Sequence, residues 1–125
     1  MKLAVTALAA LFLGTAGAYA DEPAKITTID GAKVYTDASG MTLYTFDKDT
    51  SGKSTCEADC AIKWPPFKAD ANAKAEGTWT LIKRADGTMM WGHDGKPLYT
   101  YQGDKKAGDM AGNGVGGVWH LAKAS

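Results

Sequence analysis

Ser39-Gly40-Met41-Thr42-Leu43-Tyr44-Thr45-Phe46-Asp47-Lys48-Asp49 returns 55 positions later as Asp94-Gly95-Lys96-Pro97-Leu98-Tyr99-Thr100-Tyr101-Gln102-Gly103-Asp104. Self-similarity at a fixed spacing marks two copies of one supersecondary plan. Each copy opens on a turn pair ending in Gly and continues as Leu-Tyr-Thr-aromatic, an alternation with the period of a strand. Tyr44 with Phe46, and Tyr99 with Tyr101, then share a face and are expected to stack as two aromatic pairs in the core. Leu43, Thr45, Leu98 and Thr100 face the other way. Asp49 and Asp104 fall just past the strand ends, where a carboxylate accepts backbone N–H bonds and fixes a turn.

Working outward, residues 33–36 and 41–46 flank Asp37-Ala38-Ser39-Gly40, and residues 79–83 and 88–91 flank Arg84-Ala85-Asp86-Gly87. Both read as hairpins with Gly where φ is positive. A third turn, Gly92-His93-Asp94-Gly95, leads into residues 97–101. Gly77-Thr78-Trp79-Thr80-Leu81 and Gly117-Val118-Trp119-His120-Leu121 read as matching strands that close the two copies. On that matching the first copy is longer, and the surplus is an insertion holding Cys56, Cys60, Trp64 and Pro65-Pro66. The one helix is expected to start at Ser54, where Ser54-Thr55-Cys56-Glu57 has the form of a capping box, and to stop before Pro65-Pro66. That helix would put Cys56 and Cys60 on one face. The fold class is therefore all-β: a small antiparallel sheet domain of two pseudo-repeats, about 33–82 and 88–122, with one short helix or turn in a disulfide-containing insertion.

The chain has 125 residues, 45% hydrophobic and 22% charged, with 14 Lys+Arg against 14 Asp+Glu. Its bases, among them Lys33, Lys53, Lys63, Lys83, Arg84, Lys96, Lys105 and Lys106, are interspersed with acids, which excludes a polybasic nucleic-acid binder. Residues 1–20 read as a signal peptide: Lys2 is the positive start, residues 3–16 are apolar, and Ala18-Tyr19-Ala20 is the cleavage signal. Residues 21–125 then form a single domain, periplasmic or secreted, with no lipobox cysteine after Ala20 and no membrane span. Two cysteines in an exported chain predict a Cys56–Cys60 bridge. So short a loop removes little chain entropy, on the order of 2 kcal/mol, and pins a local turn.

Tyr44-Thr45-Phe46-Asp47-Lys48-Asp49 and Tyr99-Thr100-Tyr101-Gln102-Gly103-Asp104, together with Ser54-Thr55-Cys56-Glu57-Ala58-Asp59-Cys60-Ala61-Ile62-Lys63-Trp64-Pro65-Pro66 and the Gly-rich residues 112–117, resemble a known family. It is the secreted-repeat or predicted-lipoprotein family with a Y-x-[FWY]-x-x-D motif and an S-x-C-x-x-x-C-A-x-x-W-P-P segment. The resemblance covers most of residues 33–122. It implies an exported bacterial protein, assigns no activity, and links the family loosely to redox settings.

Three constellations carry chemistry. Asp47-Lys48-Asp49-Thr50-Ser51-Gly52 matches the first half of a calcium loop, but position 12 would be Ala58, so a plain Asx turn is expected. Met89, Met90 and His93 gather soft ligands suited to copper, with Met41, Met110 and His120 able to add to them. Residues 112–117 contain G-x-G-x-x-G without the βαβ setting a nucleotide site needs. No nucleophile motif is present, and a non-enzymatic binding or interaction module is expected, serving an unknown periplasmic protein or small ligand. Its partner surface would be Trp64, Pro65, Pro66 and Phe67. The alternative is a periplasmic copper-binding or small redox protein using Met89, Met90 and His93 or the cysteine pair.

Overall fold

A computed structural model describes residues 22–124; the signal-peptide reading of residues 1–20 lies outside the described residues. The elements are β1 (Lys25–Ile29), β2 (Ala32–Thr36), β3 (Tyr44–Phe46), α1 (Asp59–Lys63), β4 (Trp79–Lys83), β5 (Met89–His93), β6 (Lys96–Pro97), a 3-10 turn (Val115–Gly117) and β7 (Trp119–Leu121). The protein is all-β, in small antiparallel sheets ordered β1-β2, β3-β7 and β4-β5-β6. Two of the hairpins use the same device. Asp30-Gly31 (φ 49° and 83°) joins β1 to β2, and Asp94-Gly95 (φ 54° and 82°) joins β5 to β6. Positive φ at both central residues matches the right-handed strand twist, and Asp-Gly tolerates it. Strand β1 and its Asp30-Gly31 turn lie before residue 33, where the sequence reading began the first copy.

A pseudo-two-fold axis runs between Tyr44 and Tyr99. Their backbones exchange both bonds, Tyr44 N–H to Tyr99 O at 2.7 Å and Tyr99 N–H to Tyr44 O at 3.0 Å. Bonds elsewhere have mates in the other copy. Ala122 N–H to Leu43 O (2.9 Å) answers Phe67 N–H to Leu98 O (2.9 Å), and Asp47 N–H to Val118 O (2.8 Å) answers Gln102 N–H to Lys63 O (2.8 Å). These mates are 55 positions apart, so the counterpart of Trp119 is Trp64, not Trp79. The segment with the cysteines is accordingly no extra length. It takes the place that residues 105–117 take in the second copy, and Cys60 N–H to Glu57 O (3.1 Å) answers Val115 N–H to Gly112 O (3.2 Å). Trp79 opens the second copy, and residues 70–78 connect the two.

Helix α1 starts at Asp59, later than the capping-box reading. Its N-cap is Ala58 with φ 55° and no side-chain cap, and none of its residues is buried. Ser54 does not cap because its hydroxyl is committed to a buried network with Tyr99 and Arg84. Cys56 consequently precedes the helix, and the Cys56–Cys60 disulfide closes the turn into it.

The alternation along each repeated strand divides the interior. Tyr44, Tyr99, Trp64, Trp119, Cys56, Ile82 and Met90 form one cluster; Leu43, Leu98, Ala24, Trp79 and Ala122 form the other. The aromatic pairing differs from expectation. Residues two apart on a strand are about 7 Å apart, too far to stack. The rings pair across the copies or between strands instead. Phe46 stacks on Trp119 (4.1 Å between centroids), Trp119 on Trp64 (3.8 Å, 2° between planes) and Trp64 on Tyr101 (4.2 Å). Trp64 is thereby only 4% exposed, which removes it from the expected partner surface. Placing it 55 positions before Trp119 puts both indoles at the axis, where the two large rings bury each other.

Candidate functional site

The repeated Tyr and Asp residues close on each other across the axis. Tyr44 Oη donates to Asp104 Oδ2 at 2.7 Å, and Tyr99 Oη donates to Asp49 Oδ2 at 2.6 Å. Asp104 Oδ1 also takes the Ala111 N–H (2.8 Å), and Asp49 Oδ1 takes the Thr55 N–H (2.7 Å) and hydroxyl (2.8 Å). Burial first, and then the facing carboxylate, push both phenols above the ordinary tyrosine range. Asp49 and Asp104 therefore hold backbone turns and, beyond the sequence reading, lock the copies together. Asp49, one carboxylate of the calcium-loop pattern, is spent in this way.

Arg84, read from sequence only as a turn residue, is 5% exposed. Its Nη1 donates to Ser54 Oγ (2.9 Å) and its Nη2 to the Cys56 carbonyl (2.8 Å), while Nη1 lies 3.9 Å from the Met90 sulfur. Tyr99 has spent its proton on Asp49 and Ser54 accepts from Arg84, so the 2.6 Å contact between Ser54 and Tyr99 has Ser54 as donor. A directed chain results: Arg84 to Ser54 to Tyr99 to Asp49. Arg84 Nε has no hydrogen-bond partner among the described residues, and the nearest carboxylate, Asp86 Oδ1, is 3.9 Å away. The Thr88 hydroxyl and N–H hold the Asp86 carboxyl below the usual carboxylate range.

On the other side of β3 and β7 opens a groove of about 510 Å³, bounded by the β5–β6 turn. Both histidines of the chain line it. His120 Nε2 lies 2.8 Å from Asp47 Oδ2. His93 Nε2 lies 3.3 Å from the Tyr35 hydroxyl and 3.0 Å from Thr78 Oγ1, and its ring packs against Tyr35 and Trp79. Burial, followed by the charges of Glu22 and Asp94, raises the Tyr35 phenol above its ordinary range. Lys96 and Lys123 stand on the walls, and a smaller hollow of about 260 Å³ continues past Asp47 and Lys96 to Thr50 and Ser51.

The remaining sequence candidates scatter. Met90 is buried beside Arg84, while Met89 and His93 share the opposite face of β5, and of the three only His93 lines the groove. Among the described residues no group of three or more His, Cys, Asp or Glu side chains is placed to hold a metal ion. Pro65, Pro66 and Phe67 are partly buried, Pro66 bridging to Tyr99 and Phe67 packing on the second cluster. Sequence reasoning missed the groove as a unit. Asp47 and His120 were each noticed for another chemistry, and nothing in a linear reading joins positions 73 apart.

The fold and site define a two-copy all-β domain, symmetric in its core and asymmetric at one polar groove. The family described as "secreted repeat of unknown function" matches the chain twice, over residues 24–68 and 80–123, and the chain belongs to it. Those bounds start each copy at a hairpin, β1–β2 and β4–β5. No curated protein and no solved structure matches the chain. Among the described residues no helix is long and apolar enough to cross a membrane.

Proposed function

We propose that the protein is an exported, non-enzymatic binding module, released by cleavage after Ala20 without a lipid anchor, whose ligand site is the groove between β3–β7 and the β5–β6 turn. The observation that carries this reading is the failure of the two-fold symmetry there. In the second copy the positions of Asp47 and His120 are held by Gln102 and Pro65, whereas the core positions Tyr44, Asp49 and Trp64 have like residues in Tyr99, Asp104 and Trp119. Residues needed for folding recur; the Asp47–His120 pair does not. The groove offers donors from Lys96 and Lys123, acceptors from Asp47 and Asp94, and a partly apolar wall from Leu98 and Leu121, which suits a small polar ligand bound by exchange of hydrogen bonds. Recognition thereby moves from the Trp64 corner to this groove.

The test is two-dimensional NMR of the labelled protein titrated with pools of sugars, amino acids and small carboxylic acids. Shifts confined to the groove, and lost in His120→Ala with Asp47→Ala, are expected. Shifts that persist in that double variant, or no groove shift with any pool, overturn the reading.

A further inference from the structure

The two sulfurs of the Cys56–Cys60 disulfide lie in different surroundings. Cys56 is fully buried in the first cluster, and Cys60 is partly exposed at its edge. The mate of this loop, residues 105–117, has no cross-link; it keeps the matched Val115 hydrogen bond but ends in a 3-10 turn with left-handed glycines where the cysteine loop ends in α1. Beside Cys56 stands Arg84, bonded to the Cys56 carbonyl, already in contact with one sulfur at Met90, and carrying an unpartnered Nε. Asp86, its nearest carboxylate, is 63% exposed, and Asp49 is reached only through Ser54 and Tyr99. A buried guanidinium without a directly bonded carboxylate is costly to keep. It is kept on the backbone carbonyl of Cys56, the residue whose buried sulfur would become anionic if the disulfide opened.

We propose that Cys56–Cys60 is a thiol–disulfide exchange site whose substrate is a protein dithiol, with Cys60 as the attacked sulfur and Cys56 as the leaving thiolate stabilised by Arg84. A donor thiolate attacks Cys60 Sγ, forming a donor–Cys60 mixed disulfide as the Cys56–Cys60 bond breaks and its electron pair goes to Cys56. The donor's second thiolate attacks its own sulfur in the mixed disulfide and expels Cys60. The donor loses two electrons to become a disulfide, and Cys56 and Cys60 receive the two electrons and two protons. A cation beside the leaving sulfur lowers its basicity and speeds departure.

The experiment uses the mature protein. Brief exposure to glutathione with acid quench and peptide mapping is expected to place the adduct on Cys60 at least tenfold over Cys56. Reduction by dithiothreitol is expected to leave the near-ultraviolet circular dichroism intact, and Arg84→Met to slow that reduction about tenfold. An adduct on Cys56, loss of the tertiary signal on reduction, or equal rates in a folded Arg84→Met overturns the proposal. If Arg84→Met does not fold, the adduct position and the reduced-state spectrum in the unmutated protein decide it alone.

Discussion

Replacing Tyr44 with Phe removes one oxygen and tests the lock between the copies. That hydroxyl donates to Asp104 Oδ2 at 2.7 Å and accepts the Gly112 N–H at 3.2 Å, all three groups being buried. Asp104 is 6% exposed and would keep only the Ala111 N–H on its other oxygen. A hydrogen bond to a charged group contributes about 1.5–3 kcal/mol, and leaving a buried N–H unpaired costs about 1–3 kcal/mol, so the combined loss is about 3–5 kcal/mol. For a domain whose whole stability is on the order of 5–15 kcal/mol this is a large fraction. Tyr99→Phe should cost a similar amount, about 3 kcal/mol: Asp49 is less buried and keeps two bonds from Thr55, but the buried Ser54 hydroxyl loses its acceptor. Urea unfolding followed by tryptophan fluorescence measures both, the stacked Trp64 and Trp119 being the reporters. In a double-mutant cycle Tyr44→Phe with Asp104→Asn should show a coupling of about 1.5–3 kcal/mol. A Tyr44→Phe cost near zero would refute the reasoning.

Alkaline conditions should probe the same two phenols together. A phenol raised above its ordinary value near 10 contributes stability in full below about pH 10 and loses it above, at up to about 1.4 kcal/mol per pH unit for each group. Urea stability should therefore fall steeply only above about pH 10, with the Tyr44 and Tyr99 phenolate absorbance arriving with unfolding; ionisation of all tyrosines in the folded protein would contradict this. Trp64→Ala should destabilise by about 3–5 kcal/mol as a core truncation, and a folded variant of unchanged stability would return Trp64 to the surface. Gly112→Ala should cost about 1–3 kcal/mol, because an added Cβ would lie 2.7 Å from Trp64 Cη2 and 3.0 Å from Tyr44 Cζ; thermal melts with a change under a degree or so would disprove that close approach.

Local chemistry was legible in the sequence and long-range partnership was not. The hairpin at Arg84-Ala85-Asp86-Gly87, the turn leading into residues 97–101, the two-copy plan and the disulfide all depend on residues close in the chain, or on a repeat that can be counted. The hairpin expected around Asp37-Ala38-Ser39-Gly40 is instead reduced to one Thr36–Thr42 bridge, because β2 pairs with β1 and β3 with β7. The match of Trp79 to Trp119 went wrong through local likeness, Gly-Thr-Trp-Thr-Leu resembling Gly-Val-Trp-His-Leu. The 55-residue offset already found for Tyr44 and Tyr99 pairs Trp64 with Trp119, so that signal was available. Ser54 fits a capping box, but a buried cation offered its hydroxyl a stronger bond than an exposed helix N–H. Arg84 itself sits between a strand and Ala-Asp-Gly, a setting in which an arginine is ordinarily solvated, and only its fold partners 28 and 30 positions away bury it.

Two copies of one plan also separate what folding requires from what it leaves free. A residue that holds the axis must be matched on both sides, because its bond is made to the other copy's equivalent. Tyr44 needs Asp104 as Tyr99 needs Asp49, and Trp64 and Trp119 lie flat against each other. Off the axis that constraint lapses. Asp47 and His120 bond each other within 2.8 Å on an exposed rim, where a surface ion pair contributes at most about 1 kcal/mol and a Gln102-and-Pro65 arrangement closes the same strands without it. Stability therefore does not account for the pair, nor does it account for the asymmetry between Arg84 beside one loop and its absence from the other. Both departures lie where the molecule meets solvent or a reactive bond, so the differences between the copies, rather than the motif they share, are where chemistry specific to this protein is to be sought.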